Sequence, residues 1–418
     1  MCSHRRAAAS WDRYTSIQFF PQRLGPRADN VAELNERVLH LWQFTVVVAW
    51  AKSIGEESMA KAELVPLTVL RGLAAAYVVL YHFSSGGGPW IIRHGYLAVD
   101  LFFMLSGFVL AYVYWDEFSS ERANVAKATK DFWIRRIARV YPLHTALILL
   151  LLGNAAIGAH TGARADHAPY VFAANLLLIQ TPTQQPAYIG AAWSTSVEVV
   201  AYALFPLFLL IGRHRRGLSF AAALLLMLAV AIWLITQSPA GTLDVPAPAL
   251  QAIARGLSEF VVGMFAYAFA YKRIEHAGVP DTGVVAVIVA IAIALMLPNS
   301  DIAVIALFPL LIVAAAANRG RAAAILSIGA LTWLGTISYS IYLLHQPLLN
   351  SYKRLRDLVW PGGVGNGVAM AMADVAVIVV LLVAAMATYL TIERPARQLI
   401  VKWLATETPG PLAVRKQA

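Results

Sequence analysis

Ionisable side chains stand where this chain is otherwise apolar, and they define the chemistry open to it. The stretch 64–83, LVPLTVLRGLAAAYVVLYHF, carries Arg71 near one end and His82 near the other. As a helix it turns about three times between them, so both side chains leave one face, about 16 Å apart along the axis. An arginine inside a membrane helix costs at least about 2.5–3.5 kcal/mol, which a leucine would not. Snorkelling to the headgroups would explain one such residue, but others follow. GYLAVDLFFMLSGFVLAYVY places Asp100 in the outer third of a second stretch, with Ser106 and Gly107 near its middle. That carboxylate needs a partner, and His82 and Arg71 are the expected ones. WSTSVE sets Glu198 several residues inside a further stretch, after Trp193, Ser194 and Ser196. In KDFWIRRIARVYPLH, Arg136 and Arg139 are three apart and share a helix face, presenting two guanidinium forks that suit phosphate oxygens. Ser338, Tyr339, Tyr342 and His345 in SYSIYLLHQPLL form a hydroxyl and imidazole stripe suited to a polar cavity. Without any function, the same residues would read as a structural ion pair, positive-inside anchors and interfacial tyrosines.

The elements that must position these residues are membrane helices. Of 418 residues, 59% are hydrophobic and only 13% charged, against about 25% in ordinary globular chains. The expected fold is all-α, a polytopic helix bundle with spans near 64–83, 95–115, 137–158, 189–212, 218–237, 249–271, 280–298, 301–318, 327–347 and 368–391. The run 170–179 is about ten residues long, which fits a re-entrant or interfacial helix. With that run not crossing and both termini inside, the clusters Arg122–Arg139, Arg213–Arg216, Lys272–Arg273, Arg319–Arg321 and Arg394–Lys402 all fall on the cytoplasmic side. Lys353, Arg354 and Arg356 fall against the rule, on the outer face. The net charge of +10 lies in such short clusters, which set topology and meet membrane lipid. No nucleic-acid motif accompanies them, so no nucleic-acid partner is expected. The single cysteine, Cys2, excludes an internal disulfide, and no metal site is expected. Residues 1–58 mix charge, proline and aromatics and hold no span, so they read as a non-spanning extension, with Met59 a natural start. A membrane domain over 59–403 and a cytoplasmic tail over 404–418 follow.

Taken in order, these motifs resemble the integral-membrane acyltransferase 3 family. They are Arg71 with His82 eleven positions on, GYLAVDLFFMLSGF, the RxxR of Arg136 and Arg139 followed by YP, WSTSVE, and GTISYSIYLLHQPLL. The likeness runs from about Leu64 to Lys402. Bacterial members O-acylate sugars of surface or secreted polysaccharides, lipopolysaccharide and peptidoglycan. The resemblance implies a ten-helix core in the bacterial inner membrane, an acyl-CoA donor such as acetyl-CoA approaching from the cytoplasm, and a carbohydrate or glycolipid acceptor. It places the family histidine at His82, its arginine at Arg71 and its RxxR pair at Arg136 and Arg139. Acyl transfer from a thioester to a sugar hydroxyl needs a base, an orienter for that base, and positive charge for the oxyanion and phosphates. Histidine is the side chain that ordinarily titrates near neutrality, and His82 is expected to take the base role. Asp100 or Glu198 is expected to orient it, and Arg136 and Arg139 to hold the coenzyme's phosphates, with Arg71 deeper along the donor. Ser338, Tyr339, Tyr342 and His345 would line the substrate cavity. The reading from a different class is a secondary transporter, since charges inside helices also mark ion and substrate pathways. Transporters commonly show repeated halves, and no such repeat is visible here.

Overall fold

The computed structural model describes residues 65–84, 89–119, 124–156, 168–244, 249–360 and 367–404. Regular structure among them is helical, apart from one isolated bridge between Val279 and Asn318. The main helices are α1 (Val65–Phe83), α2 (Ala98–Ser119), α3 (Val125–Ala156), α4 (Pro169–Leu176), α5 (Ala192–Gly212) and α6 (Arg216–Gln237). They continue with α7 (Ala249–Phe265), α8 (Asp281–Met296), α9 (Asp301–Ala317), α10 (Gly329–Thr336), α11 (Ser338–Val359), α12 (Gly367–Thr388) and α13 (Arg394–Leu404). α7 and α12 run on through π turns, Ala266–Tyr271 and Tyr389–Glu393. The expected extension over 1–58 and the tail beyond Leu404 lie outside the described residues.

Among the described residues, seven helical stretches are long and apolar enough to cross a membrane: Val65–Phe83, Gly95–Phe118, Val125–Gly153, Ala192–Gly212, Arg216–Gln237, Ala249–Ile274 and Gly367–Leu404. The sequence reading expected ten, and each of the other three differs for a local reason. α8 and α9 have 16 and 17 residues, rising about 24 and 26 Å against a hydrocarbon core of about 30 Å. The stretch 327–347 is not one helix, because Ile337, at φ −92° and ψ 6°, separates α10 from α11. α11 then runs on to Val359 and takes in Lys353, Arg354, Arg356 and Asp357.

The run expected to turn back, 170–179, forms α4 with 8 residues, too short to cross. Its chain returns through Leu178 and Gln184, both at φ 56°. Buried polar groups hold this return. The Asn175 amide donates to Pro186 O at 2.8 Å while its side-chain oxygen accepts Tyr188 N at 2.9 Å. His144 Nε2 donates to Asn175 O at 2.8 Å, and Gln180 Nε2 to Ala192 O at 3.0 Å. Irregular backbone at membrane depth is tolerated where protein groups satisfy it in this way.

Two glycine crossings set the helix positions. A Cβ at Gly107 would stand 1.9 Å from Phe260 O, and one at Gly263 1.9 Å from Met104 O, so α2 and α7 meet backbone to backbone. α1 and α10 meet likewise: a Cβ at Gly72 would lie 2.6 Å from Gly335 N, and one at Gly335 2.1 Å from Thr68 O. Small residues permit such approach, and dispersion contacts then hold the helices together where the hydrophobic effect cannot. Trp115, Phe108, Phe132, Phe205 and Phe260 are fully buried between the helices. Leu149, Ile211, Leu225, Met372 and Val383 are more than half exposed and form the lipid-facing surface that water would not favour. α12 buries only Leu381 and Ala385 of its 22 residues.

Candidate active site

A cavity of about 130 Å³ lies among α1, α2, α3, α5 and α11, and Arg71, Arg136, Arg139, Glu198, Ser338, Tyr339 and Tyr342 all line it. α1 supplies Arg71 one residue before the Gly72 crossing. α3 supplies Arg136 and Arg139 from the face they were expected to share. Glu198 projects from α5, where its Oε1 accepts Ser106 Oγ at 2.6 Å and Tyr202, one turn on, also hydrogen-bonds it. The Arg136 guanidinium lies 5.9 Å from the centre of the Tyr202 ring, and its Nε is buried without a hydrogen-bond partner. Arg139 pairs with Glu393, which is fully buried in the π turn after α12 and takes Ser340 Oγ on its other oxygen at 2.9 Å. Arg139 also sits 5.5 Å from the Tyr339 ring centre. Across the cavity Tyr342 OH and Ser194 Oγ share a hydrogen bond of 2.7 Å.

The charge balance decides what such a cavity favours. Arg71 interacts electrostatically with Glu198, Arg136 and Arg397, and Arg139 with Arg71 and Arg397. Three guanidinium groups, Arg71, Arg136 and Arg139, thus line the cavity with one carboxylate, Glu198, while Glu393 pairs with Arg139 from outside the lining. The excess of planar cations among the lining residues suits a phosphate-bearing anion.

His82, Asp100 and His345 do not line this cavity. His82 stands at the far end of α1, where its Nδ1–H donates to Val78 O at 2.9 Å. That bond fixes the tautomer and leaves the Nε2 lone pair outward, where it accepts the Gln346 amide at 3.1 Å. Its ring packs 4.9 Å from that of His345 and edge-on to Tyr81 at 5.2 Å. His345 is fully buried; its Nδ1–H donates to Tyr342 O at 2.6 Å, and its Nε2 has no partner.

The expected orientation of His82 by a carboxylate is corrected here. Asp100 is fully buried and takes both forks of Arg255, from Nε at 2.7 Å and Nη2 at 2.6 Å. The α2–α7 glycine crossing brings Arg255 to Asp100, which His82 and Arg71 do not reach. Glu198 is engaged by Ser106. The Val78 carbonyl orients the imidazole instead.

Arg255, Glu259, Gln346 and Glu393 belong to these networks and were not singled out in the sequence. Arg255 and Glu259 were legible as an i,i+4 charge pair within the apolar run 249–271; their charged atoms lie 3.8 Å apart. Glu393 stands in TIERPAR, where the flanking arginines drew the positive-inside reading. Gln346 follows His345 directly.

Membrane-length helices around an arginine-rich polar cavity define an integral membrane protein suited to an anionic ligand. The acyltransferase 3 model, an acyltransferase domain, matches residues 66–391, and the chain belongs to that family. It is similar to the peptidoglycan O-acetyltransferase OatA of Listeria monocytogenes, 22% identical over 321 residues, which are 70% of this chain and 50% of that protein. It is also similar to the acyltransferase MdmB of Streptomyces mycarofaciens, 32% identical over 120 residues, 27% of this chain and 28% of the other. Protein 2 in the picA locus of Rhizobium radiobacter is 39% identical over 85 residues, 20% of this chain and 40% of that one. The chain thus spans half or less of the length of these curated relatives. No solved structure matches it.

Proposed function

We propose that this membrane acyltransferase moves an acyl group, acetyl in the first instance, from cytoplasmic acyl-CoA to a hydroxyl of a cell-surface or exported carbohydrate. The observation that carries the reading is the cavity in which Arg71, Arg136 and Arg139 meet the single lining carboxylate Glu198. Arg136 and Arg139 hold the coenzyme's phosphates, and Arg71 contacts the donor further in. The thioester arm extends along α1 toward His82, about 16 Å from Arg71. There the acceptor hydroxyl takes the place of the Gln346 amide at Nε2. Nε2 removes the hydroxyl proton as the oxygen attacks the thioester carbonyl carbon. The C–S bond breaks, and the departing sulfur takes the proton from the imidazolium. Peptidoglycan, named for the Listeria relative, is one acceptor to test among other envelope glycans.

The proposed topology retains ten crossings in a bacterial inner membrane, with both termini in the cytoplasm. α8 and α9 cross as a closely packed short pair, and α10 with α11 forms one broken crossing whose irregular backbone is buried in protein. The purified full chain, given acetyl-CoA and envelope glycans, is expected to release coenzyme A only when a glycan is present and to leave the glycan acetylated. Binding of acetyl-CoA without transfer to any glycan would overturn the reading in favour of a binding or transport role.

A further inference from the structure

A second pocket, of about 480 Å³, opens where α5 ends, α6 begins and the chain leaves the π turn after α7; none of its lining residues belongs to the arginine cavity. Its cations come from two segments: Arg215 and Arg216 from GRHRRG at the start of α6, and Lys272 and Arg273 from the helical turn after the π turn. The site is built on aromatic rings. Gly217 leaves space for Phe269, whose ring a Cβ at that position would meet at 2.8 Å. Arg273 lies 4.0 Å from the centre of the same ring, and Arg216 lies 5.2 Å from that of Trp115. Stacking on rings positions a guanidinium without neutralising it. Among the described residues, the carboxylate paired with these cations is Asp116, 3.4 Å from Lys272 and 67% exposed. His214, also lining the pocket, accepts Arg213 Nε on its Nε2 at 2.9 Å. Gly217 and Leu218, in the first turn of α6, line the pocket, and that helix has no side-chain cap. Leu218, which lines the pocket, is 62% exposed, and Ile211, in the last turn of α5 just before GRHRRG, is 70% exposed.

We propose that this pocket binds the phosphate of an anionic membrane phospholipid, with its acyl chains lying along Ile211 and Leu218. Charge alone would accept any phosphate. The apolar flank decides between sources, since a water-soluble phosphate would leave it uncovered, whereas a lipid covers it and satisfies the cations together. The proposal does not depend on the acyl-transfer reading.

The test is native mass spectrometry of the full chain in detergent with added phosphatidylglycerol or phosphatidylcholine, and with inorganic phosphate or coenzyme A as competitor. The wild-type chain is expected to retain phosphatidylglycerol over phosphatidylcholine, and micromolar coenzyme A is expected not to displace it. Arg215→Gln with Arg273→Gln, which spares Arg213 and Arg216 for topology, is expected to weaken phosphatidylglycerol retention by about tenfold or more. Arg354→Gln with Arg356→Gln removes the same charge on α11, away from the pocket, and is expected to leave it unchanged. Equal retention of the two lipids by the wild-type chain would overturn the proposal, a result that needs no variant to fold. Equal losses in the two double variants, or ready displacement by inorganic phosphate or coenzyme A, would do the same.

Discussion

A buried carboxylate is defined by its donors, and Asp100 takes them from Arg255. Removing one partner of such a pair strands a charge at a cost of about 3–5 kcal/mol, whereas replacing both with apolar groups of similar volume is often neutral. Arg255→Met is therefore expected to lower the unfolding temperature in detergent sharply, and Asp100→Leu with Arg255→Met to recover part of the loss, since buried Glu259 still lacks its Arg255 partner. A double variant no more stable than the single one would show that the pair is not the unit of stability here. Arg139 answers a separate question, whether the RxxR pair holds a donor or anchors the helix. Arg139→Lys keeps the positive charge but loses the planar fork that pairs with Glu393 and lies over Tyr339. Its Michaelis constant for acetyl-CoA is expected to rise roughly tenfold to a hundredfold, since each charge-assisted hydrogen bond contributes on the order of 1.5–3 kcal/mol. Unchanged turnover and Michaelis constant would mark Arg139 as an anchor. At this scale the sequence displayed Asp100, Glu198 and the arginines, because charges in apolar runs stand out. It did not display their partners. Which side chains meet depends on which helices cross, and the orienter of His82 is a backbone carbonyl, which no side-chain pattern reveals.

Among the elements, the α2–α7 crossing joins Asp100 to Arg255, and its Gly107 directly follows Ser106, the α2 residue that reaches Glu198 on α5. Gly263→Ala would drive a methyl group into Met104 O and is expected to destabilise by about 1–3 kcal/mol, as overpacking does. Gly153, whose Cβ would meet nothing within 4 Å, serves as control; Gly153→Ala is expected to be neutral or mildly stabilising. Equal effects in thermal unfolding would deny the crossing its role. Apolar run length made most long helices legible, together with the short α4. It misled at 327–347, where an uninterrupted apolar pattern hides the break at Ile337. Apolarity also marked α8 and α9 without revealing that the helices proper stop at 16 and 17 residues.

For the whole molecule, topology follows from whether the α4 segment crosses. With 8 residues it does not, so reporters fused after Arg216 and after Lys402 are both expected in the cytoplasm; an external signal at Arg216 would reverse every later helix. The division of labour along α1 is the central claim, with the donor held at the arginine end and the chemistry done at the histidine end. His82→Gln tests it most directly, because glutamine retains a polar side chain of similar reach but cannot relay the proton. Acetyl-CoA affinity and glycan-dependent coenzyme A release are measured on the same purified protein. Affinity within about twofold of wild type, with turnover lowered by about 10²–10⁴, is the expected result. Near-normal turnover in His82→Gln would contradict the claim and leave His82 a packing residue beside His345.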